Sequence, residues 1–516
     1  MMQERIERIP KWYAGRSVFI TGATGFMGKV LVEKLLHDCP DIERLYLLVR
    51  AKRGVEPEQR RDEYVNHIAF ERVRLIQPKR LEKIRMIKGD VTLDDLGLSE
   101  EDRAEVTSKV SVIFHCAANV RFDQPLKEAV NMNTQGTYRV LKLAETVTNL
   151  DAFVHVSTAY CQCDEPVLEE CGYPAPHNPL GIVQMTNLLD DEILEHITPK
   201  LLKTLPNTYA YTKALTEDLV ASFKGKFPIA IARPSIVTAA IREPYPGWVE
   251  GTNGPTGLMV GAGRGVIRSM HCNPNYPADA IPVDITMNTI IALAWQRGQN
   301  KSLDIQYTNV VASTENSLSW GESIDRGKAE FYRNPLCFSL WYPNGSIKSN
   351  YYHHLFCVIF FHYLPAYFID LLLVIFRKKP FMVRVQNKVS MGLKVLQYYT
   401  TKRWEFKNVN MTNLYNSMDD RDKEIFNFNC MTLDWHEYIR NYIYGVRTYL
   451  LQEPPSTLPQ ARKLLKRLYY LDKLVTLIFY GLLLWLIWNY LDVIGSSVHF
   501  IFEQSKNLLT KSPISH

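Results

Sequence analysis

Apolar runs alternate with amphipathic stretches along the first half of the chain. Residues 17–21 form a short apolar run that ends in glycines, residues 29–36 follow helical periodicity, and residues 45–49 are apolar again. Further strand-like runs occupy residues 85–88, 110–115, 152–156 and 229–232 and alternate with helical stretches. This alternation predicts an α/β protein with a Rossmann-type, doubly wound parallel sheet.

The pattern changes twice further along the chain. Residues 237–283 are rich in glycine and proline, which predicts loops that lie over a pocket. Residues 381–404 and 435–451 follow helical periodicity, and Asp434 with Glu437 predicts a capping box before the second helix. We therefore expect an α/β domain over residues 12–335 and a smaller helical domain over residues 350–452.

Residues 474–491 form an uncharged apolar stretch. A helix of that length spans about 27 Å, which is close to the thickness of the hydrocarbon core, so a transmembrane anchor is predicted. The positive-inside rule keeps the basic residues before it in the cytosol and sends residues 492–516 across the membrane. These basic residues are Arg462, Lys463, Lys466, Arg467 and Lys473. The charged N-terminus has no apolar run of a secretory signal, so the first domain is expected in the cytosol; for residues 474–491 a buried helix is the alternative.

A second apolar stretch covers residues 355–376 and is long enough to cross a membrane. It contains His362, Pro365 and Asp370, and an aspartate near the centre of a spanning helix costs about 2.5–3.5 kcal/mol. The sequence therefore favours a buried or membrane-dipping pair of helices over a second span.

The charge distribution argues against nucleic acid as a partner. The chain has 60 basic and 54 acidic residues, a formal net charge of +6, and they are spread without a concentrated basic face. Nine cysteines are present, and Cys161, Cys163 and Cys171 lack the spacing and partnering histidines of a zinc site. Reduced cytosolic thiols and no metal are the expectation.

A GxxGxxG turn lies between the first strand-like run and the first helical stretch. Its glycines permit a tight turn and a close backbone approach, and the helix N-terminus offers free N–H groups to a pyrophosphate. This context predicts a dinucleotide site, with a plain structural turn as the alternative. The predicted contacts here are Gly22, Thr24, Gly25, Phe26, Met27 and Gly28.

Positively charged residues follow the second strand-like run. In NAD-binding proteins of this fold, an acidic residue at that position bonds the ribose hydroxyls. Arg50, Lys52 and Arg53 suit a 2′-phosphate, so NADPH is favoured over NADH; solvated loop cations are the alternative. Asp90 and Val91 follow the third run, where Asp90 would lie beside the adenine amino group. After the fourth run, a backbone segment would line the cofactor ribose, formed by Ala117, Ala118 and Asn119.

A tyrosine and a lysine four residues apart provide the candidate catalytic pair. Tyr209 and Lys213 would share one helix face, where the ammonium lowers the phenol pKa from about 10 and makes Tyr209 a proton donor. The fifth run ends in hydroxyls, of which Thr158, or less well Ser157, would hydrogen-bond a substrate carbonyl oxygen. Tyr211 is the competing phenol, but its spacing to Lys213 does not share a helix face.

The glycine turn, the hydroxyl after the fifth run and YxxxK together resemble the extended short-chain dehydrogenase/reductase superfamily. That resemblance implies the Thr–Tyr–Lys roles and a structural part for Asn133, in NxxGT. The stretches FHCAANVRFD, NTYAYTKALTE, ARPSIV (with Pro234, an implied cofactor contact) and GAGRGVIRSM are similar to eukaryotic fatty acyl-CoA reductases, insect ones especially. The similarity runs in family order over residues 16–300 and continues in HYLPAYFID and the apolar tail.

The resemblance implies reduction of a long-chain acyl-CoA through a bound aldehyde to the primary alcohol, with two NADPH consumed and CoA released. Arg264 and Arg268 could bind the CoA phosphates or form a solvated basic loop, and the acyl tail is expected toward the apolar C-terminal region and membrane lipid. Two alternatives remain: a membrane reductase of a sterol, isoprenoid or sugar nucleotide, and a non-catalytic NADP-binding scaffold. The absence of a terminal SKL favours endoplasmic reticulum over peroxisome. The oligomeric state stays open, a homo-oligomer included.

Overall fold

A computed structural model describes residues 8–50, 57–312 and 315–510. Seven parallel strands form its central sheet, in the order β11-β7-β5-β4-β1-β2-β3. Three further pairs of short strands, β10-β8, β12-β9 and β13-β6, lie outside it. The strands are β1 Ser17–Thr21, β2 Arg44–Val49, β3 Ile84–Lys88, β4 Val110–His115, β5 Ala152–Val156, β6 Val167–Leu168, β7 Ile229–Pro234, β8 Ile236–Thr238, β9 Ser269–His271, β10 Ala280–Pro282, β11 Gln306–Val310, β12 Ser346–Lys348 and β13 Glu405–Phe406.

The central strands are mostly apolar because helices cover both faces of the sheet. Every residue of β1, β5 and β7 is buried. The register aligns the carboxyl ends of the middle strands: Thr21 pairs with His115, and His115 pairs with His155. The residues that follow β1, β4 and β5 therefore meet at one edge of the sheet, as predicted for a doubly wound fold.

Twenty α-helices are described, and the long α12 is the most deeply buried of those that pack against the sheet, in contact with β5, β7 and α2. The helices are α1 Ile9–Tyr13, α2 Phe26–Asp38, α3 Pro57–Val65, α4 Glu71–Ile76, α5 Glu100–Lys109, α6 Leu126–Ala129, α7 Gly136–Glu145, α8 Pro179–Leu188, α9 Asp191–Leu202, α10 Thr208–Ala221, α11 Pro255–Gly263, α12 Val283–Asn300, α13 Trp320–Arg333, α14 Tyr351–Val358, α15 Leu364–Ile375, α16 Met382–Thr400, α17 Val409–Ser417, α18 Asp420–Ile425, α19 Trp435–Gly445 and α20 Leu458–Thr510. Short 3₁₀ segments cover Ile68–Phe70, Pro78–Lys83, Asp94–Gly97, Cys430–Thr432 and Pro455–Thr457, and π-turns cover Val130–Gln135, Ile359–Tyr363 and Val446–Leu450.

The C-terminal helices share the main hydrophobic core with the sheet. Leu414 of α17 and Ile443 of α19 belong to the same buried cluster as Val18 of β1 and Val154 of β5. The strand β13 also pairs with β6, and α17 packs against β11. The region after residue 350 thus wraps around the α/β core.

Two local predictions need correction. Residues 237–283, expected as loops, contain the helix α11 and parts of three short strands, because tertiary packing overrides the low helix propensity of their glycines. Asp434 caps α19 by accepting from the backbone N–H groups of His436 and Glu437, as predicted. The side chain of Glu437, however, pairs with Arg440 instead of completing a capping box.

The two apolar stretches form long exposed helices. Tyr351–Ile375 is one helical run of 25 residues through the π-turn, with 11% of its most apolar window buried. The buried form of the predicted helix pair is therefore wrong, and the membrane-dipping form stays a prediction. The π-turn lies just before Pro365, which has no backbone N–H to donate within the helix. The predicted anchor lies inside α20, whose apolar window is wholly exposed and which continues to residue 510. Both helices are candidate membrane spans by length and composition.

Candidate active site

The glycine turn between β1 and α2 allows neighbouring backbone segments to approach it closely. Gly22 has a φ of +73°, and a Cβ there would lie 2.7 Å from the backbone nitrogen of Ala117. A Cβ on Gly28 would lie 2.3 Å from the carbonyl oxygen of Gly22. Thr24 and Gly25 are exposed at the start of α2, so its free N–H groups are accessible. The turn therefore fits a pyrophosphate, as expected of a dinucleotide site.

The other residues predicted in this turn have packing roles. Phe26 stacks on Trp248 with ring centroids 5.1 Å apart, which holds the glycine- and proline-rich loop after β8 against the start of α2. Met27 is half-buried and packs against the main core. These two side chains shape the turn, and the accessible backbone beside them is what a cofactor would contact.

The segment after β4 lies directly against the glycine turn. The backbone N–H of Ala117 donates to Thr21 Oγ1 over 3.2 Å, and Ala118 follows it, half-buried. Asn119 exchanges two hydrogen bonds with the Asn133 side chain, at 2.8 and 3.1 Å. Asn133 also donates to Thr212 Oγ1 over 3.0 Å, so it ties this segment to the helix α10, which agrees with the structural role expected of it.

At the outer strands, part of the predicted cofactor contact lies outside the described residues. Lys52 and Arg53 fall there, while Arg50 is exposed at the end of β2 and its carbonyl accepts a hydrogen bond from Arg60 of α3. Arg60 brings a further guanidinium to this strand end, which the spacing of the sequence did not predict. Asp90, after β3, accepts from the backbone N–H of Thr92 over 2.9 Å.

Two predicted contacts are deeply buried. Val91 is 3% exposed and packs against Gly136, where a Cβ would lie 3.2 Å away, so its side chain belongs to the core. Pro234 ends β7, and its carbonyl accepts from the hydroxyl of Thr158 over 3.4 Å and from the backbone N–H of Ala159 over 2.8 Å. Pro234 therefore fixes the loop that carries the candidate hydroxyls.

Three of the candidate catalytic side chains meet at the end of β5. Thr158 lies just after the strand, and Tyr209 lies in the first turn of α10, close enough for the Thr158 hydroxyl to lower the pKa of the phenol. Lys213, one turn further along α10, donates from Nζ to the carbonyl oxygen of Val156 over 2.7 Å. Ser157 is also buried here, with its backbone N–H bonded to the carbonyl of Ala232 over 2.7 Å.

Burial sets the protonation of this cluster. It raises the pKa of Tyr209 above its ordinary value, opposed by the Thr158 hydroxyl, and it lowers the pKa of Lys213 to about 8. The expected lowering of the Tyr209 pKa is therefore not found, because desolvation of the phenol dominates and the ammonium is bonded to a carbonyl. Burial, with the Lys213 charge, lowers the pKa of His115 to about 3 and that of His155 well below its ordinary value, so neither competes as a cation.

Tyr211, the competing phenol, points away from Lys213. Its hydroxyl is hydrogen-bonded to Nδ1 of His177 over 2.9 Å, and its ring is buried. The helix spacing had predicted this separation. Tyr209 is thus the phenol that shares the site with Thr158 and Lys213.

Sequence reasoning missed three residues of the site. The ring of Phe122 lies between those of Tyr209 and Tyr399, at centroid distances of 5.7 and 5.6 Å. Asn207 caps α10 by accepting from the backbone N–H of Ala210 and donates from its side chain to the Tyr399 hydroxyl over 2.8 Å. An asparagine just before a helix is a recognisable cap signal. No local sequence pattern predicts the role of Tyr399, because it lies 192 residues from Asn207 along the chain.

Arg268, one of the two arginines suggested to bind CoA, forms an ion pair within the protein. Its guanidinium pairs with Asp472 of α20 over 3.1 Å and lies over the rings of Trp341 and Phe361. It therefore joins the start of β9 to the two apolar helices, and binding of a CoA phosphate by Arg268 stays a prediction. Arg264 remains half-buried at the end of α11.

Solved structures resemble the chain in fold at low sequence identity. The terminal R domain from the myxalamid PKS-NRPS biosynthetic pathway is 20% identical, with a TM-score of 0.52 over 84% of this chain and 91% of that domain. The reductase (R) domain of nonribosomal peptide synthetase from Mycobacterium tuberculosis is 15% identical, with a TM-score of 0.55 over the same shares. These similarities agree with a Rossmann-type sheet followed by a helical region.

Sequence comparison gives much closer relatives. Two family models, both described as male sterility protein, match residues 20–290 and 361–453. Fatty acyl-CoA reductase 1 from Mus musculus is 40% identical over 89% of each chain, and fatty acyl-CoA reductase 2 from Homo sapiens is 38% identical over the same shares. The chain therefore belongs to the fatty acyl-CoA reductase family.

Proposed function

We propose that this protein is an NADPH-dependent enzyme that reduces long-chain fatty acyl-CoA to the primary alcohol. The observation that carries the proposal is the meeting of Thr158, Tyr209 and Lys213 at the sheet edge that bears the glycine turn. The names of the relatives supply the substrate class and favour acyl-CoA over a sterol, isoprenoid or sugar nucleotide. A scaffold without catalysis would not need the buried catalytic cluster.

The catalytic residues have distinct roles in this proposal. Thr158 donates a hydrogen bond to the carbonyl oxygen of the substrate, and Tyr209 gives that oxygen its proton. The raised pKa of Tyr209 keeps the phenol protonated near neutral pH, as a proton donor requires. The Lys213 ammonium stabilises the phenolate that remains. NADPH, when bound, supplies the hydride.

Two reductions at one carbon require the aldehyde to stay bound between them. A wall of aromatic rings next to Tyr209 supports this by excluding water. Tyr160 contacts the rings of both Tyr399 and Trp404, at centroid distances of 5.4 and 5.7 Å, and Phe122 stacks on Tyr399. We therefore expect two NADPH consumed for each CoA released.

The helix Tyr351–Ile375 lies in the plane of the membrane surface in this proposal. One side faces the folded part: His354 bonds Ser269 Oγ, His362 accepts from the backbone N–H groups of Arg268 and Ser269, and Ala366 is buried. Many of its other side chains are large, apolar and exposed, and a lipid surface would cover them. They include Tyr352, Phe356, Ile359, Leu364, Tyr367, Phe368, Leu371 and Val374.

The segment that follows this helix, which leads into α16, supports the in-plane arrangement. Asp370 accepts from the backbone N–H groups of three residues at the start of α16, and Gln386, one turn further, already bonds the carbonyl of Val266. The helix α16 carries Arg384 and Lys388, so it is a poor partner for a second crossing. The proposed topology is an in-plane helix and one span within α20, with the catalytic part in the cytosol at the endoplasmic reticulum.

The test is product analysis with detergent-solubilised full chain. Acyl-CoAs from C16 to C26 would be supplied with NADPH or NADH, and cofactor oxidised would be counted per CoA released. Alcohol at two NADPH per CoA, lost in Tyr209→Phe, is the expected result. The matched control is Tyr211→Phe on the same helix, which should keep activity. One NADPH per CoA with free aldehyde would limit the enzyme to one step, and no CoA release would overturn the proposal.

A further inference from the structure

An apolar cavity of about 140 Å³ lies between α11, α13 and α19. Its wall is almost wholly apolar and includes Leu258 of α11, Ile324 of α13 and Ile439 of α19. No candidate catalytic residue contributes to its wall. An elongated hydrocarbon is the ligand chemistry that such a wall accepts.

The cavity begins close to the candidate catalytic residues. Thr238, in its wall, lies four residues beyond Pro234, whose carbonyl accepts from Thr158. Ile236 packs both against the cluster that contains Tyr160 and against the cluster that contains Met270, another wall residue. One layer of side chains therefore separates the reacting end of the substrate from the start of the cavity.

We propose that this cavity holds the acyl chain of the substrate and that Gly327 sets the chain length that it accepts; this rests on the proposed function. Gly327 is buried in the middle of α13 and lines the cavity. The nearest atom to a Cβ at this position would be Ile443 Cδ1, 4.0 Å away. A side chain at residue 327 would therefore project into free space in the cavity.

The other glycines of the wall do not offer this space. A Cβ on Gly263 would lie 2.6 Å from the ring of Phe331, and one on Gly345 would lie 2.5 Å from the carbonyl oxygen of Ile267. Gly263 and Gly345 are thus required by the packing of the wall itself. Gly327 is the glycine of the three that leaves volume to the cavity.

The helix α13 runs away from the catalytic edge along the cavity. Its first residue, Trp320, donates from its backbone N–H to the carbonyl of Tyr276, beside Ala278 at the near end. Gly327 follows seven residues later, about 10 Å along the helix axis, and Phe331 lies beyond it. A chain that enters from the catalytic edge passes Gly327 only when it is long.

The experiment compares Gly327→Leu with wild type across saturated acyl-CoAs from C12 to C20. The ratio of kcat/KM for long to short chains should fall by about tenfold for each two methylene groups excluded from the cavity. The matched control is Gly392→Leu, on the exposed side of α16, where a Cβ would meet nothing within 4 Å. Its length profile should equal that of wild type.

An unchanged length profile in a folded Gly327→Leu enzyme that binds NADPH would overturn the cavity assignment. If Gly327→Leu does not fold, Gly327→Ala replaces it and should move the profile in the same direction by a smaller amount; no movement there also overturns the assignment. Failure of the proposed function looks different, because wild type itself would then release no CoA at any length.

Discussion

Lys213 gives the active site a pH dependence that can be measured at the residue scale. Its Nζ is bonded to the carbonyl of Val156, and burial lowers its pKa to about 8. The ammonium form prevails below this pH and is lost above it, so the phenolate at Tyr209 loses its stabilising charge. We expect kcat/KM to fall as the pH rises through about 8.

The control for this prediction keeps the charge at residue 213. Lys213→Arg carries a guanidinium that stays protonated throughout the range, so whatever activity it retains should not decline near pH 8. The measurement is kcat/KM against pH from 6 to 10 for both enzymes at saturating NADPH. A decline at the same pH in both would assign the titration to another group.

At the scale of elements, Tyr399 links the C-terminal region to the helix that carries the candidate catalytic pair, α10. Tyr399, at the end of α16, accepts from the side chain of Asn207, the buried cap of α10. Tyr399→Phe leaves that donor without its partner, which costs about 1–3 kcal/mol. We expect a lower free energy of unfolding and a reduced kcat, because α10 carries Tyr209 and Lys213.

The neighbouring phenol provides the comparison for Tyr399. Tyr398 bonds the carbonyl of Cys163, in the loop after β5, and does not touch the cap of α10. Tyr398→Phe should therefore reduce kcat less than Tyr399→Phe when both are measured with one acyl-CoA at saturation. Equal kcat losses would mean that the cap contact has no special role in catalysis.

The sequence predicted those elements whose formation depends on residues close together along the chain. The runs at residues 110–115 and 152–156 match β4 and β5 because buried parallel strands are continuously apolar. The helix α11 was expected as loop because Gly257 and Gly263 lower its helix propensity, yet Gly263 is needed for the close approach of Phe331. Tyr399 escaped prediction for a related reason, since its partner is distant along the chain.

The same limit applies to the candidate site. The glycine turn and the Tyr209–Lys213 pair are fixed by short spacings, and the structure brings them to one sheet edge. Arg268 illustrates the limit of local reasoning: the sequence around it suggests a phosphate ligand but does not reveal its partner Asp472, which lies 204 residues away. Charge on a loop does not reveal which distant side chain will neutralise it.

At the scale of the whole molecule, polar contacts fix the two apolar helices to the catalytic part. Asp472, at the start of the apolar part of α20, accepts from Trp341, Asn344 and Arg268 over 2.6, 2.9 and 3.1 Å. His362 holds the other helix nearby, where it accepts from the backbone N–H groups of Arg268 and Ser269. Both helices therefore have a set orientation toward the α/β core.

Glycosylation mapping in microsomes tests the resulting topology. If α20 spans the membrane, an acceptor tag added after His516 lies in the lumen and should be glycosylated. In the proposed topology the natural acceptor sites at Asn300, Asn344 and Asn410 lie on the cytosolic side and should stay unmodified. The discriminating site is the basic turn after α15, at residues 377–380, where an inserted acceptor should also stay unmodified if Tyr351–Ile375 lies in the membrane plane. If that helix crosses the bilayer instead, the turn becomes luminal and acquires the glycan, because its basic side chains alone do not prevent translocation once the helix has inserted.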